Sequence, residues 1–301
     1  MNNAPVQHEV IANGVVHAVF ERHAQAKGSG VTLLFLHATG FHARVWDQII
    51  ARLPALHSVA VDLRGHGRSQ EAPVLHWGEV VSDVSELVGK LDLTRIVGVG
   101  HSMGAHALIG AAAVEPRRYA SLLALDPVIM APEAYSDYVL SDPNEAISHP
   151  MARRRANFDS PADMMERLVG KGSYGLFEPA MLRDYCEYGL LPAPQGGFTL
   201  ACPPAIEASI YMTSRSNGAI FDAVRSLPVP VRVLRAKAPV PGQALDFSSS
   251  PTWPGLAAEF PDAEDYHYPE HTHFLPMQIP DVVSRHIREL SEAGDRAAGD
   301  T

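Results

Sequence analysis

The stretch that most constrains this chain runs from Arg95 to Leu108. Ile96-Val97-Gly98-Val99 is a short apolar run with polar flanks, the pattern of a buried strand. Ala105 to Val114 is rich in alanine and predicts a helix. Between them lies Gly100-His101-Ser102-Met103-Gly104, a G-x-S-x-G match. A serine on a sharp strand-to-helix turn is lifted above the sheet edge, and a glycine two residues to either side lets strand and helix approach closely. The five residues alone are weak evidence. Their strand and helix flanks make Ser102 a candidate nucleophile.

The rest of the chain supplies a sheet for that turn. Apolar and polar residues alternate from His8 to His23 around Asn13-Gly14, which predicts a hairpin. Val31 to Leu36 and Ser58 to Leu63 read as strands buried on both faces, and Leu122 to Leu125 as another. Helical spacing runs over Val45 to Leu53 and Trp77 to Leu91. Strands alternating with helices predict a parallel sheet flanked by helices, with ligands at the carboxyl ends of strands. Residues 37–41, 101–103 and Asp126 each follow a strand directly and so should converge on one sheet edge. The rhythm breaks from Ile129 to Ser226, where no buried strand is evident. Helical pieces at Pro161 to Val169 and Pro179 to Tyr188 predict a helical lid over that edge. Its frequent aromatics and methionines (Tyr174, Phe177, Met181, Tyr185, Tyr188, Phe198, Tyr211 and Met212) are core packing for the most part, with a few expected to line an apolar pocket. Strands return at Val229 to Leu234 and Ala263 to Tyr268, and Asp281 to Leu290 predicts a last helix. Ser291 to Thr301 is expected to fray.

Composition excludes some classes. A formal net charge of -10 argues against nucleic acid, whose binding depends on Lys and Arg neutralising phosphates. Arg153-Arg154-Arg155 reads as a solvated face. No run of about 18 apolar residues predicts a transmembrane helix, and Met1 to Val10 does not read as a signal peptide. Cys186 and Cys202 read as free thiols of a reducing compartment, so the expected location is cytoplasmic.

A serine hydroxyl is a weak nucleophile at neutral pH and needs a base, an acid to orient that base, and donors for the oxyanion. The candidate base is His273, in the loop before the last helix, with His271 as the neighbour to exclude. His-x-His could also be a metal pair, but nothing around it suggests a ligand set, and no metal is expected. One oxyanion donor is the backbone N–H of Met103. The second is expected from the loop after an earlier strand, at Thr39 or Ala38, with His37 shaping that loop.

At this point the chain resembles the α/β-hydrolase superfamily. The matching segments are Leu36-His37-Ala38-Thr39-Gly40-Phe41, Asp62-Leu63-Arg64-Gly65-His66-Gly67-Arg68-Ser69, Gly100-His101-Ser102-Met103-Gly104 and His273-Phe274-Leu275-Pro276. The resemblance implies an eight-stranded, mostly parallel sheet with a helical cap, residues 1–128 and 227–301 forming the core and 129–226 the cap. It implies Ser102 as nucleophile, His273 as base and no cofactor. Two departures stand out. The family usually has His-Gly where this chain has His37-Ala38. It usually carries its acid just after the seventh strand, where Leu234-Arg235-Ala236-Lys237-Ala238-Pro239 holds no carboxylate. Some members place the acid one strand earlier, which points to Asp126. The rival is Asp246, which requires the loop with Pro239, Pro241 and Gly242 to fold back over the sheet edge.

The resemblance implies an enzyme, a serine hydrolase cleaving a small apolar ester or lactone through an acyl-enzyme. Other acyl transfer and carbon–carbon hydrolysis use similar machinery, and a ligand receptor of the same fold is the alternative from another class. Membrane insertion is not expected, and the oligomeric state is left open, a homodimer included.

Overall fold

The computed structural model describes residues 4–136, 138–240 and 246–299. In chain order the strands of the main sheet are β1 (Val6–Ala12), β2 (Val15–Arg22), β3 (Thr32–Leu36), β4 (Ser58–Val61), β5 (Ile96–His101) and β6 (Tyr119–Leu125). Three helices fall between these: α1 (Asp47–Ile50), α2 (Gly78–Lys90) and α3 (Met103–Val114). After β6 come β7 (Asn157–Phe158), α4 (Pro161–Leu168), α5 (Pro179–Tyr188), β8 (Leu190–Pro192), β9 (Phe198–Leu200) and α6 (Pro204–Met212). The chain ends with α7 (Ile220–Ser226), β10 (Val231–Arg235), β11 (Ala263–His267), α8 (Leu275–Gln278) and α9 (Pro280–Gly299).

Eight strands form one sheet in the order β1-β2-β4-β3-β5-β6-β10-β11. All neighbours from β4 to β11 pair in parallel, and β2 runs against them. The β1–β2 hairpin turns at Asn13 and Gly14, both at positive φ (47° and 74°), as an Asn-Gly turn requires. Side chains alternate across the pleat, so β3 feeds two cores. Leu34 and Leu36 pack with residues of α2, α3 and α7, while Leu33 and Phe35 pack with Trp46, Ile49, Val283 and Ile287 on the other face.

Four differences from the sequence reading have physical causes. The helix expected over Val45 to Leu53 is one turn of α-helix, α1, after a tight turn at Ala43–Trp46. The stretch expected to hold only helices contains an antiparallel sheet ordered β7-β9-β8, built from strands of two or three residues. Strands that short show no period-2 signal. Within the same stretch, α7 packs Ile220, Phe221 and Val224 into the main core, as the crossover from β6 to parallel β10 requires. Ser291 does not begin a frayed tail. It is buried and donates to the Ile287 carbonyl, and α9 runs on to Gly299. Asp295 anchors that extension, accepting from the Val31 N–H at 3.0 Å and pairing with Arg95 at 2.9 Å. Asp300 and Thr301 lie outside the described residues, as do Pro241 and Gly242 of the loop after β10.

Candidate active site

The turn between β5 and α3 carries Ser102 at φ 58°, ψ −118°, a backbone conformation costly for a residue with a side chain. The surroundings enforce it. The Ser102 N–H donates to the Leu125 carbonyl (3.0 Å), and its carbonyl accepts from the His106 and Val128 N–H groups (3.2 and 3.3 Å). The two motif glycines are spatial necessities. A Cβ at Gly100 would sit 2.6 Å from the Ala105 Cα, and one at Gly104 would sit 2.4 Å from the Leu36 carbonyl oxygen.

His273 Nε2 lies 2.9 Å from Ser102 Oγ, and His273 Nδ1 lies 2.7 Å from Asp126 Oδ2. All three side chains are buried. His101 contributes from β5: its Nε2–H donates to the His273 carbonyl at 2.8 Å. Burial pushes the His101 imidazole well below its ordinary value, so it stays neutral beside His273. Asp126 is itself at positive φ (45°), and its N–H donates to the Leu234 carbonyl of β10 at 2.7 Å. Its second oxygen, Oδ1, accepts from the Ala236 N–H (2.8 Å) and Ser250 Oγ (2.5 Å), with Thr252 Oγ1 at 3.4 Å.

Of the two candidate acids, the fold brings Asp126 to the imidazole. Asp246 is exposed and accepts from the N–H and hydroxyl of Ser248 (2.8 and 2.5 Å), bonds that hold its carboxyl below the usual range. His271 stays apart from the serine. Its N–H donates to the Tyr268 carbonyl, and its own carbonyl accepts from Lys237.

The loop after β3 reaches the same place. Ala38 and Thr39 line a cavity together with Ser102 and His273. Among the described residues the Thr39 N–H donates to no group, and Met103 opens α3, where a helix leaves its first N–H groups unpaired. Thr39 Oγ1 sits 3.7 Å from the Met103 sulfur. Two buried imidazoles hold the loop. His37 Nε2 accepts from the Leu63 N–H (2.9 Å) and His66 Nε2 from the Gly40 N–H (3.0 Å), while their Nδ1–H groups donate to the Ala38 and Arg64 carbonyls (2.8 Å each). Burial pushes His37 well below its ordinary value and His66 down to about 4, which keeps both acceptors available. His37 thus shapes the loop, as read from sequence. The part of His66 was not read.

The cavity measures about 830 Å³. Its apolar wall includes Trp77, Met130, Tyr211, Phe247 and Phe274. Phe247 stacks on the His273 imidazole (6.4 Å, 16°). Of the eight cap aromatics and methionines read from sequence, only Tyr211 lines it. Tyr174, Phe177 and Tyr185 instead pack around Phe41 and Phe274, sealing the cap onto the core. Trp77 and Phe247 carry no sequence signal for this role, since neither lies in a motif. The cavity also admits charge, with His149, Arg215 and Asp246 on its lining. Among the described residues no three His, Cys, Asp or Glu gather as a metal site, and no helix is long and apolar enough to cross a membrane.

Residues 33–286 match the family model described as the alpha/beta hydrolase family. The chain is 33% identical over 189 residues to lipase LipV of Mycobacterium tuberculosis, covering 56% of this chain and 72% of that protein. It is 24% identical over 270 residues to 2-(acetamidomethylene)succinate hydrolase of Mesorhizobium japonicum, covering 89% and 90%. A solved structure of E-2-(acetamidomethylene)succinate hydrolase superposes with a TM-score of 0.72 at 23% identity, covering 95% of this chain and 98% of that one.

Proposed function

The chain belongs to the alpha/beta hydrolase family, and from that premise we propose that it is a serine hydrolase cleaving a carboxylic ester or lactone. The observation that carries this reading is the relay from Ser102 Oγ through His273 to Asp126, at 2.9 and 2.7 Å, opening onto the cavity. His273 Nε2 takes the Ser102 proton as Oγ attacks the ester carbonyl carbon. The oxyanion lies against the N–H of Met103 and that of Thr39 or Ala38. Asp126 stays ionised and stabilises the imidazolium. The intermediate collapses with cleavage of the C–O bond, and the imidazolium returns its proton to the departing alkoxide. Water repeats the sequence on the acyl-enzyme, releasing the acid and restoring Ser102. Trp77, Met130, Tyr211 and Phe247 suit an uncharged apolar portion of the substrate.

A second reading has an observation of its own. Arg215 lines the cavity, is exposed, and forms no ion pair among the described residues. A relative that aligns over 89% of the chain is named for hydrolysing a succinate derivative. On this reading the same relay acts on a substrate carrying a carboxylate that meets Arg215.

The test of the main reading is labelling with a fluorophosphonate, read by intact mass, followed by turnover of a panel of neutral and carboxylate-bearing esters and lactones. The parent protein is expected to take one label and the Ser102→Ala variant none. Labelling and turnover that survive in Ser102→Ala overturn the mechanism. A preference for anionic esters that is lost in Arg215→Gln selects the second reading.

A further inference from the structure

We infer that Ser250 is a positioning residue of the relay: its hydroxyl holds the Asp126 carboxylate so that Oδ2 faces His273, and it sets how strongly that oxygen supports an imidazolium. The inference rests on the relay reading above.

Hydrogen-bond accounting around Asp126 isolates Ser250. The carboxylate is fully buried, so each oxygen must find its donors within the protein. Oδ2 is used by His273. Oδ1 is within reach of the Ala236 N–H and two hydroxyls, those of Ser250 and Thr252. A hydroxyl has one proton to give. The Thr252 proton goes to the Pro127 carbonyl, 2.7 Å away, against 3.4 Å to Asp126. The Ser250 proton has a single destination. Ser250 Oγ already accepts from the Thr252 N–H at 3.1 Å, which turns its proton toward Oδ1 at 2.5 Å. That length is typical of a charge-assisted O–H···O⁻ bond, about twice as strong as a neutral one. Ser250 is itself fixed, buried, with its N–H on the Lys237 carbonyl at 2.7 Å. Thus the segment after β10 supplies a clamp for the acid that β6 provides.

Losing this donor concentrates carboxylate charge on Oδ2. The imidazolium form of His273 then becomes easier to reach, and Oδ1 loses one of its two short bonds, leaving the Ala236 N–H. The other charged and titratable groups facing the pair are few. His101 of β5 bonds the His273 carbonyl, Ser102 bonds Nε2, and Arg235 of β10 attracts Asp126 while bound to Asp265 at 2.7 Å. None of them is bonded to Ser250.

The experiment compares the parent, Ser250→Ala and Thr252→Val in the full chain, with p-nitrophenyl acetate as the probe ester and thermal unfolding alongside. Ser250→Ala is expected to lower kcat by about tenfold with KM within about twofold, and to move the acid limb of kcat/KM up by about half a pH unit. Thr252→Val loses a bond to the backbone and should lower Tm while leaving the acid limb in place. A Ser250→Ala enzyme with parental kcat and acid limb overturns the inference, as does an equal movement of the limb in Thr252→Val. If Ser250→Ala does not fold, Ser250→Cys, whose thiol is a weak donor, is read the same way. A fully active Ser102→Ala would instead overturn the relay reading. Inactive Ser102→Ala with unchanged Ser250→Ala overturns the Ser250 inference alone.

Discussion

His273 Nδ1 lies 2.7 Å from Asp126 Oδ2, although 147 residues separate the two in sequence. Asp126 directly follows β6, and His273 follows β11, the last strand of the sheet in chain order. Their meeting depends on β6 and β10 lying side by side in parallel, a junction that Asp126 also fastens through its N–H to Leu234. The geometry of the relay is therefore a product of sheet order, and a cap insertion at this point need not disturb it.

The first prediction concerns the acid. Asp126→Asn keeps the shape but cannot hold the His273 tautomer, and should lower kcat by about 10⁴-fold. Asp246→Asn should stay within a few-fold of the parent, because the Asp246 side chain is engaged with Ser248 at the cavity rim. Steady-state kinetics on one ester, with circular dichroism to establish folding, decides between them. Loss in Asp246→Asn with near-normal Asp126→Asn would move the acid to the rim.

The base gives a paired prediction. His273→Ala should abolish the acylation burst, whereas His271→Ala, whose backbone makes the structural bonds, should cost less than about tenfold. Stopped-flow release of nitrophenol reads both. The reverse order would reassign the base.

Much of this site was legible in the sequence because its parts are backbone demands. β3, β4, β5 and β6 lie in the sheet interior and are buried along almost their whole length, so they read as near-continuous apolar runs. Gly100 and Gly104 flag Ser102 because no Cβ fits there. What was illegible depends on side-chain direction or on distant partners. Ser248-Ser249-Ser250 reads as a polar loop, yet only Ser250 turns inward to the carboxylate. Phe247 gives no sign that it will stack on His273. The end of α9 is made of small and charged residues, and Arg95 and Val31, 200 and 264 positions from Asp295, hold it.

The elbow glycines should tolerate nothing larger. Gly104→Ala would place a methyl 2.4 Å from the Leu36 carbonyl oxygen and 2.6 Å from that of His37, backbone atoms with no flexible side chain to yield. The expected loss is roughly 3 kcal/mol or more, enough to unfold a marginal domain. Urea unfolding checks it. A variant within about 0.5 kcal/mol of the parent, the range usual for surface changes, would show that strand and helix can separate freely.

The last prediction follows from buried imidazoles. His42, His66 and His106 are all buried, and burial pushes them down to about 3, 4 and 4. Each is bonded as a neutral ring: His106, for instance, donates from Nδ1 to the Val128 carbonyl and accepts the Asn217 amide at Nε2, both at 3.0 Å. In the unfolded chain histidine titrates near 6.5. Between about 6.5 and 4 the unfolded state therefore binds protons that the folded state refuses, and stability rises with pH. It should be fully present above about pH 6.5 and be lost as the pH falls toward 4, by up to about 1.4 kcal/mol per pH unit for each histidine. Asp62 and Asp184 work the other way, since burial lifts their carboxyls, Asp62 to about 6, but the histidines lowered by burial outnumber them, with His17, His37, His101 and His286 adding to these three. Urea midpoints at pH 7, 6 and 5 should decline accordingly. His106→Asn should be less stable at pH 7 yet show a shallower decline, by about one proton. A decline as steep as the parent's would mean that His106 carries no part of the acid sensitivity.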